Sequence, residues 1–166
     1  MNRRSIFALA AIAMIGSSVA SIARADEVVK FRIITHATSA QTLNVDDVEG
    51  HILVLGHYDG LATFPDGSIG AATLTFTADY IKGVGTFSSY FSVAEKDGST
   101  LWWKGSGQGK PGEGTTTVFP EFPISVIRGT GRFEGATGNG TQTGARVVPI
   151  AVGAHLYADV VLNVKK

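Results

Sequence analysis

Eight short runs rich in Val, Ile, Thr, Phe and Tyr, punctuated by Gly, Asp and Pro, make up most of this chain, and helical periodicity is almost absent. The runs are Val28–His36, His51–Phe64, Ile69–Tyr80, Gly83–Glu95, Ser99–Gly107, Phe122–Arg128, Thr137–Val148 and Ala154–Val164. β-Branched and aromatic side chains pack well on a pleated surface, so these runs read as strands. Between them lie Pro65-Asp66-Gly67-Ser68, Lys82-Gly83 and Lys96-Asp97-Gly98-Ser99. Such residues tolerate the positive φ of tight hairpin turns, so each strand reaches the next by a short connection.

Alternation supports strands with one buried face. Leu74, Phe76 and Ala78 share one side of the third run, and Thr73, Thr75 and Thr77 share the other. In the last run Ala154, Leu156, Ala158, Val160, Leu162 and Val164 form an apolar face opposite His155, Tyr157, Asp159, Asn163 and Lys165. Consecutive antiparallel strands of this number form a barrel or a sandwich. A barrel leaves no exposed edge to template aggregation. Gly56, Gly60, Gly83, Gly85, Gly138, Gly140 and Gly144 fall inside strands, where glycine permits the bends of a small barrel. The expectation is an all-β fold, a closed antiparallel barrel of about eight strands, with Gly105–Gly114 as one long flexible loop.

The N-terminus reads as an export signal. Arg3 and Arg4 precede the apolar run Ile6–Ile15, and Ala23-Arg24-Ala25 fits an A-x-A cleavage site. The run is shorter than the roughly 20 residues a spanning helix needs. Residues 1–25 are thus expected to be a signal peptide and 26–166 a single barrel domain, periplasmic or secreted, with no membrane span after cleavage. The paired arginines leave both general and twin-arginine export open. Cleavage removes three arginines and leaves 11 basic side chains against 14 acids, a net charge of −3.

That balance gives no electrostatic footprint for nucleic acid. The absence of cysteine rules out disulfides, zinc–thiolate sites, iron–sulfur clusters and cysteine nucleophiles. His51 and His57 share a strand face but lie about 20 Å apart, too far to ligate one ion. No cofactor and no metal site are expected.

The stretch Ile127-Arg128-Gly129-Thr130-Gly131-Arg132-Phe133-Glu134-Gly135-Ala136-Thr137-Gly138 resembles the glycine-rich signature of allene oxide cyclases and dirigent proteins, with Arg128 in place of the first paired glycine. Asp97-Gly98-Ser99-Thr100-Leu101 is similar to a dirigent hairpin, and the layout from His57-Tyr58-Asp59-Gly60 to Ile69-Gly70 is similar to one in the cyclases. The resemblance implies an eight-stranded barrel that forms trimers. It also implies cyclisation assisted by a first-strand glutamate, or steering of phenolic radicals by pocket aspartates and an arginine. The matching first strand, Phe31-Arg32-Ile33-Ile34-Thr35-His36, contains no acid. In the motif itself, Gly129 and Gly131 suit a sharp turn, and Phe133 suits a plug in the barrel base or wall.

Candidate site residues follow from alternation. Tyr58, Phe87, Phe91 and Trp103 are expected to line a lumen, since an eight-stranded wall can enclose one small ligand. Trp102 and Trp103 must point to opposite sides of the wall, and the outer one needs a cover. Arg128 ends the apolar face of Phe122, Ile124 and Val126, where a cation could pair with an acid such as Glu134 or anchor the carboxylate or phenolate of a ligand. His57 and Asp59, two apart on one face, are candidates for proton transfer, as is Tyr58. The leading functional expectation is a secreted barrel that binds or steers a small apolar or phenolic molecule. The alternatives are an isomerase or cyclase and a ligand-free structural envelope protein.

Overall fold

The computed structural model describes residues 26–114, 116–149 and 153–166, so the expected signal peptide lies outside the described residues. Eight strands follow one another: β1 (Glu27–Asn44), β2 (His51–Thr63), β3 (Ile69–Ile81), β4 (Val84–Ala94), β5 (Thr100–Pro111), β6 (Thr117–Gly129), β7 (Thr137–Arg146) and β8 (Leu156–Lys165). Each pairs antiparallel with the next, and β1 pairs with β8 from Glu27↔Val164 to Thr35↔Leu156. The sheet is a closed barrel. Among the described residues no helix is long and apolar enough to cross a membrane.

The alternation seen in the sequence decides which side chains enter. Leu74, Phe76, Ala78 and Tyr80 of β3 are buried, as are Ala158, Val160, Leu162 and Val164 of β8. Trp103 is fully buried in the interior. It stacks on Phe91 with centroids 5.3 Å apart and meets Phe31 edge-on at 5.4 Å.

One barrel end is plugged. After β6 the chain makes a single 3-10 turn, Gly131–Phe133, which drives Phe133 to 0% exposure. Gly131 takes φ +59, and a Cβ there would overlap the Ser99 hydroxyl, which accepts the Arg132 backbone N–H at 2.9 Å. The glycine is therefore required by both conformation and space. Arg132 covers the plug, its guanidinium 4.0 Å from the Phe133 ring centre. It clamps Glu95 through Nε at 2.6 Å and reaches Glu27 through Nη1 at 3.0 Å. Lys166 adds a third contact to Glu27 at 3.0 Å.

Three features depart from the sequence expectation. Gly105–Gly114 is not a long loop, because β5 continues through Pro111. Gly105, Gly107 and Gly109 face inward there, and a Cβ on Gly107 would crowd Phe87 and Phe122. β6 starts at Thr117 rather than Phe122. β1 runs eight residues past His36, pairing with β2 out to Asn44↔Ile52 although β8 stops at Thr35. These residues face no core, so they carry no apolar alternation.

Candidate functional site

An interior space lies toward the end opposite Phe133. There Phe76, Tyr80, Phe87, Phe91, Phe119 and Phe122 surround a cavity of about 30 Å³, with Gln142 and Arg146 among its polar lining. That space holds about two waters. Phe87 meets Phe119 and Phe122 edge-on, at 5.3 and 5.1 Å. The half-buried Phe119 and Leu156 stand at the rim.

The polar groups are few and placed. Trp103 donates its indole N–H to the Gln142 side-chain oxygen at 3.0 Å, and the Ser89 hydroxyl donates to the Gly105 carbonyl at 3.0 Å. Arg146, at 7% exposure, ends β7 with its guanidinium in the cavity wall. Its Nη2 donates to the Thr117 hydroxyl at 2.8 Å, and its buried Nε has no partner. Among the described residues no carboxylate pairs with it. The Thr35 hydroxyl is also buried without a partner.

Two phenols face this cation. Burial pushes Tyr58 upward in pKa, while the neighbouring Arg146 guanidinium pulls the other way. Burial pushes Tyr80 up to about 12; Arg146 opposes the rise and Tyr58 adds to it. Both phenols are neutral at physiological pH.

Tyr58, Phe87, Phe91 and Trp103 all point inward, at 1%, 8%, 4% and 0% exposure. Arg128 does not. A bulge in the β5–β6 pairing sets Trp103 opposite Val126 and Trp102 opposite Arg128, with Ile127 as the extra residue. The bulge reverses the alternation, so Arg128 leaves the face of Phe122 and Ile124 for the outer wall. It lies 5.2 Å over the Trp102 ring and is the cover that this outward tryptophan needs.

His57 and Asp59 are also on the outside. Their side chains approach to 3.4 Å, and His57 Nδ1 bonds the Thr75 hydroxyl at 2.8 Å. Tyr58 between them points inward, so the three do not form one relay. Among the described residues no group of three or more metal-ligating side chains is close enough to hold an ion.

Sequence reasoning missed Gln142 and Arg146. They continue the inward face Gly138, Gly140, Gln142, Gly144, Arg146, whose glycines give no apolar signal.

No family model matches the chain, and no curated protein matches it. Among solved structures, the chain is similar to the pterocarpan synthase dirigent protein GePTS1, with 17% identity over 85% of this chain and 90% of that one and a TM-score of 0.47. It is likewise similar to the pterocarpan synthase dirigent protein PsPTS1, with 17% identity, coverage of 84% and 97%, and a TM-score of 0.47. The fold itself, a closed eight-stranded antiparallel barrel, stands on this chain's own strand pairing.

Proposed function

We propose that this barrel binds or steers a small apolar or phenolic molecule, admitted to the lumen past Phe119 and Leu156. One observation carries this reading: an aromatic interior plugged at one end holds unpartnered polar groups at the other. A core built only for stability gains nothing by burying an unpaired cation and an orphan hydroxyl, each of which destabilises the fold. A ligand that meets those groups gives them a purpose.

The side chains nearly fill the lumen, so entry requires the half-buried rim residues to turn aside. That same filling is what the ligand-free structural reading would expect, and the orphan donors weigh against it. A cyclase-like proton transfer finds less support, because His57 and Asp59 face solvent and the described lumen carries no acid.

Export and assembly complete the proposal. The signal-like N-terminus supports a periplasmic or secreted protein. Outward-facing Ile34, Leu53, Leu55, Leu61 and Ile69, all exposed, support a homo-oligomer such as a trimer.

The test is a two-dimensional NMR titration with phenol. The Trp103 indole N–H, buried and bonded to Gln142, gives one resonance from the middle of the lumen. Saturable shifts there and at Gln142 are expected. Shifts confined to outward positions, or none, would overturn the lumenal reading.

A further inference from the structure

The chain contains its own standard for what an arginine does with a carboxylate. Arg32 presents its Nε and Nη2 to the two oxygens of Asp159, both at 2.7 Å. Arg132 presents the same edge to Glu95, at 2.6 and 2.5 Å. This fork matches a carboxylate in a way that a lysine cannot.

Arg146 carries the same edge in the lumen, where it is incomplete. Nη2 spends one hydrogen on Thr117, and Nε is buried with nothing to receive its hydrogen. The surroundings supply neutral phenols, a hydroxyl and aromatic rings but no anion among the described residues. A buried guanidinium without a counter-charge is costly, and one arriving with a ligand removes that cost only when the ligand is bound.

We infer that the lumenal ligand is an aromatic or similarly apolar carboxylate, its head group bidentate on the Nε/Nη2 edge of Arg146 and its body among Phe76, Phe87, Phe119 and Phe122. This rests on the lumenal reading above and goes beyond it by fixing the charge and the orientation. The acid enters head first only as far as the cation at the rim side of Trp103. Thr117 holds the fork in place and shares Nη2. Discrimination then comes from polarity as well as shape, because a neutral isostere leaves Nε as unsatisfied as it is in the empty barrel.

Benzoate, benzamide and phenol, titrated at pH 7 with the Trp103 indole N–H as reporter, separate the possibilities. Benzoate and benzamide share a ring and a shape and differ in charge. Benzoate is expected to bind tighter by on the order of tenfold or more, the range of one charge-assisted hydrogen bond. Arg146→Met should erase that preference by weakening benzoate far more than benzamide or phenol, and Arg146→Lys, which keeps the charge but loses the fork, should retain part of it. Equal binding of benzoate and benzamide, with phenol also bound, overturns the carboxylate inference and leaves the lumenal reading standing. A benzoate preference that survives Arg146→Met overturns it too. If none of the three shifts the reporter, the lumenal reading fails and takes this inference with it.

Discussion

Replacing Arg146 with methionine should make the empty protein more stable. Arg146 is 7% exposed, has one hydrogen bond to Thr117 and leaves Nε unsatisfied. Desolvating such an ion works against folding by several kcal/mol even after relaxation. The bond to Thr117 returns about 1.5–3 kcal/mol, as hydrogen bonds to charged groups do. Methionine has similar length, bends to fill irregular space and suits the edges of Phe87, Phe119 and Phe122. The net expectation is a gain of about 1–3 kcal/mol, in the range seen when buried ions are exchanged for packed apolar residues. For a domain of this size each kcal/mol moves Tm by about 3–5 °C. Thermal unfolding followed by circular dichroism at pH 7 reads this directly, and urea unfolding should show a higher midpoint at an unchanged slope. Arg146→Ala serves as the cavity-forming control and should fall below Arg146→Met. A clear loss of stability in Arg146→Met would instead make the cation a structural post and overturn its assignment to a ligand.

Other consequences follow from the base and the rim. Arg132→Ala leaves Glu27 and Glu95 adjacent and unpaired, and should lower stability by about 2 kcal/mol once solvent screening of these part-exposed groups is allowed for; denaturant unfolding measures it. Burial works against the Glu27 charge, but hydrogen bonds and charge from Lys166 and Arg132 outweigh it and hold its carboxyl below the usual 4.5. Its contribution is thus present above pH 4.5 and is lost as pH falls through the lowered value, so the gap between wild type and Arg132→Ala should shrink in acid. Gly131→Ala should cost about 2–3 kcal/mol, from the left-handed backbone plus displacement of Ser99, whereas Gly135→Ala, at φ +73 with open space around it, should cost only about 1 kcal/mol. Paired urea curves that show equal losses would contradict the plug geometry. His51 is bonded to Asp79 at 2.8 Å and to Asp47 at 2.5 Å, and these bonds raise its pKa above 6.5. Its share of stability is full below pH 6.5 and is lost as pH rises through the raised value, so hydrogen exchange in the β1–β2 hairpin should quicken on alkalinisation beyond the intrinsic rate.

The parts of the fold that were legible were those with apolar contrast between faces. β3 and β8 alternate large apolar with polar or small residues, so both their existence and their inward faces could be read. β5 could not be read past Gly107, because Gly105, Gly107 and Gly109 alternate with polar residues and glycine carries no side chain to mark the core face. The bulge at Ile127 was also hidden, since the alternation Phe122, Ile124, Val126, Arg128 continues smoothly through it and only the pairing with β5 reveals the extra residue. The site shared these fates. The aromatic lining was visible as bulky residues at spacing two. Arg146 was not, because it ends a face made mostly of glycine and a charged residue there looks like a solvated strand end. The closing clamp of Arg132 on Glu27 and Glu95 joins residues 105 and 37 positions apart, which only the closed barrel brings together.

The account stands or falls on whether the lumen is ever occupied. Native mass spectrometry of the protein purified from its producing cells, with nothing added, asks that question directly. The account predicts a folded species carrying one small molecule per chain, released on gentle activation and diminished in the Arg146→Met protein. A wild-type spectrum showing bare chain alone, under conditions that preserve the fold, would contradict it.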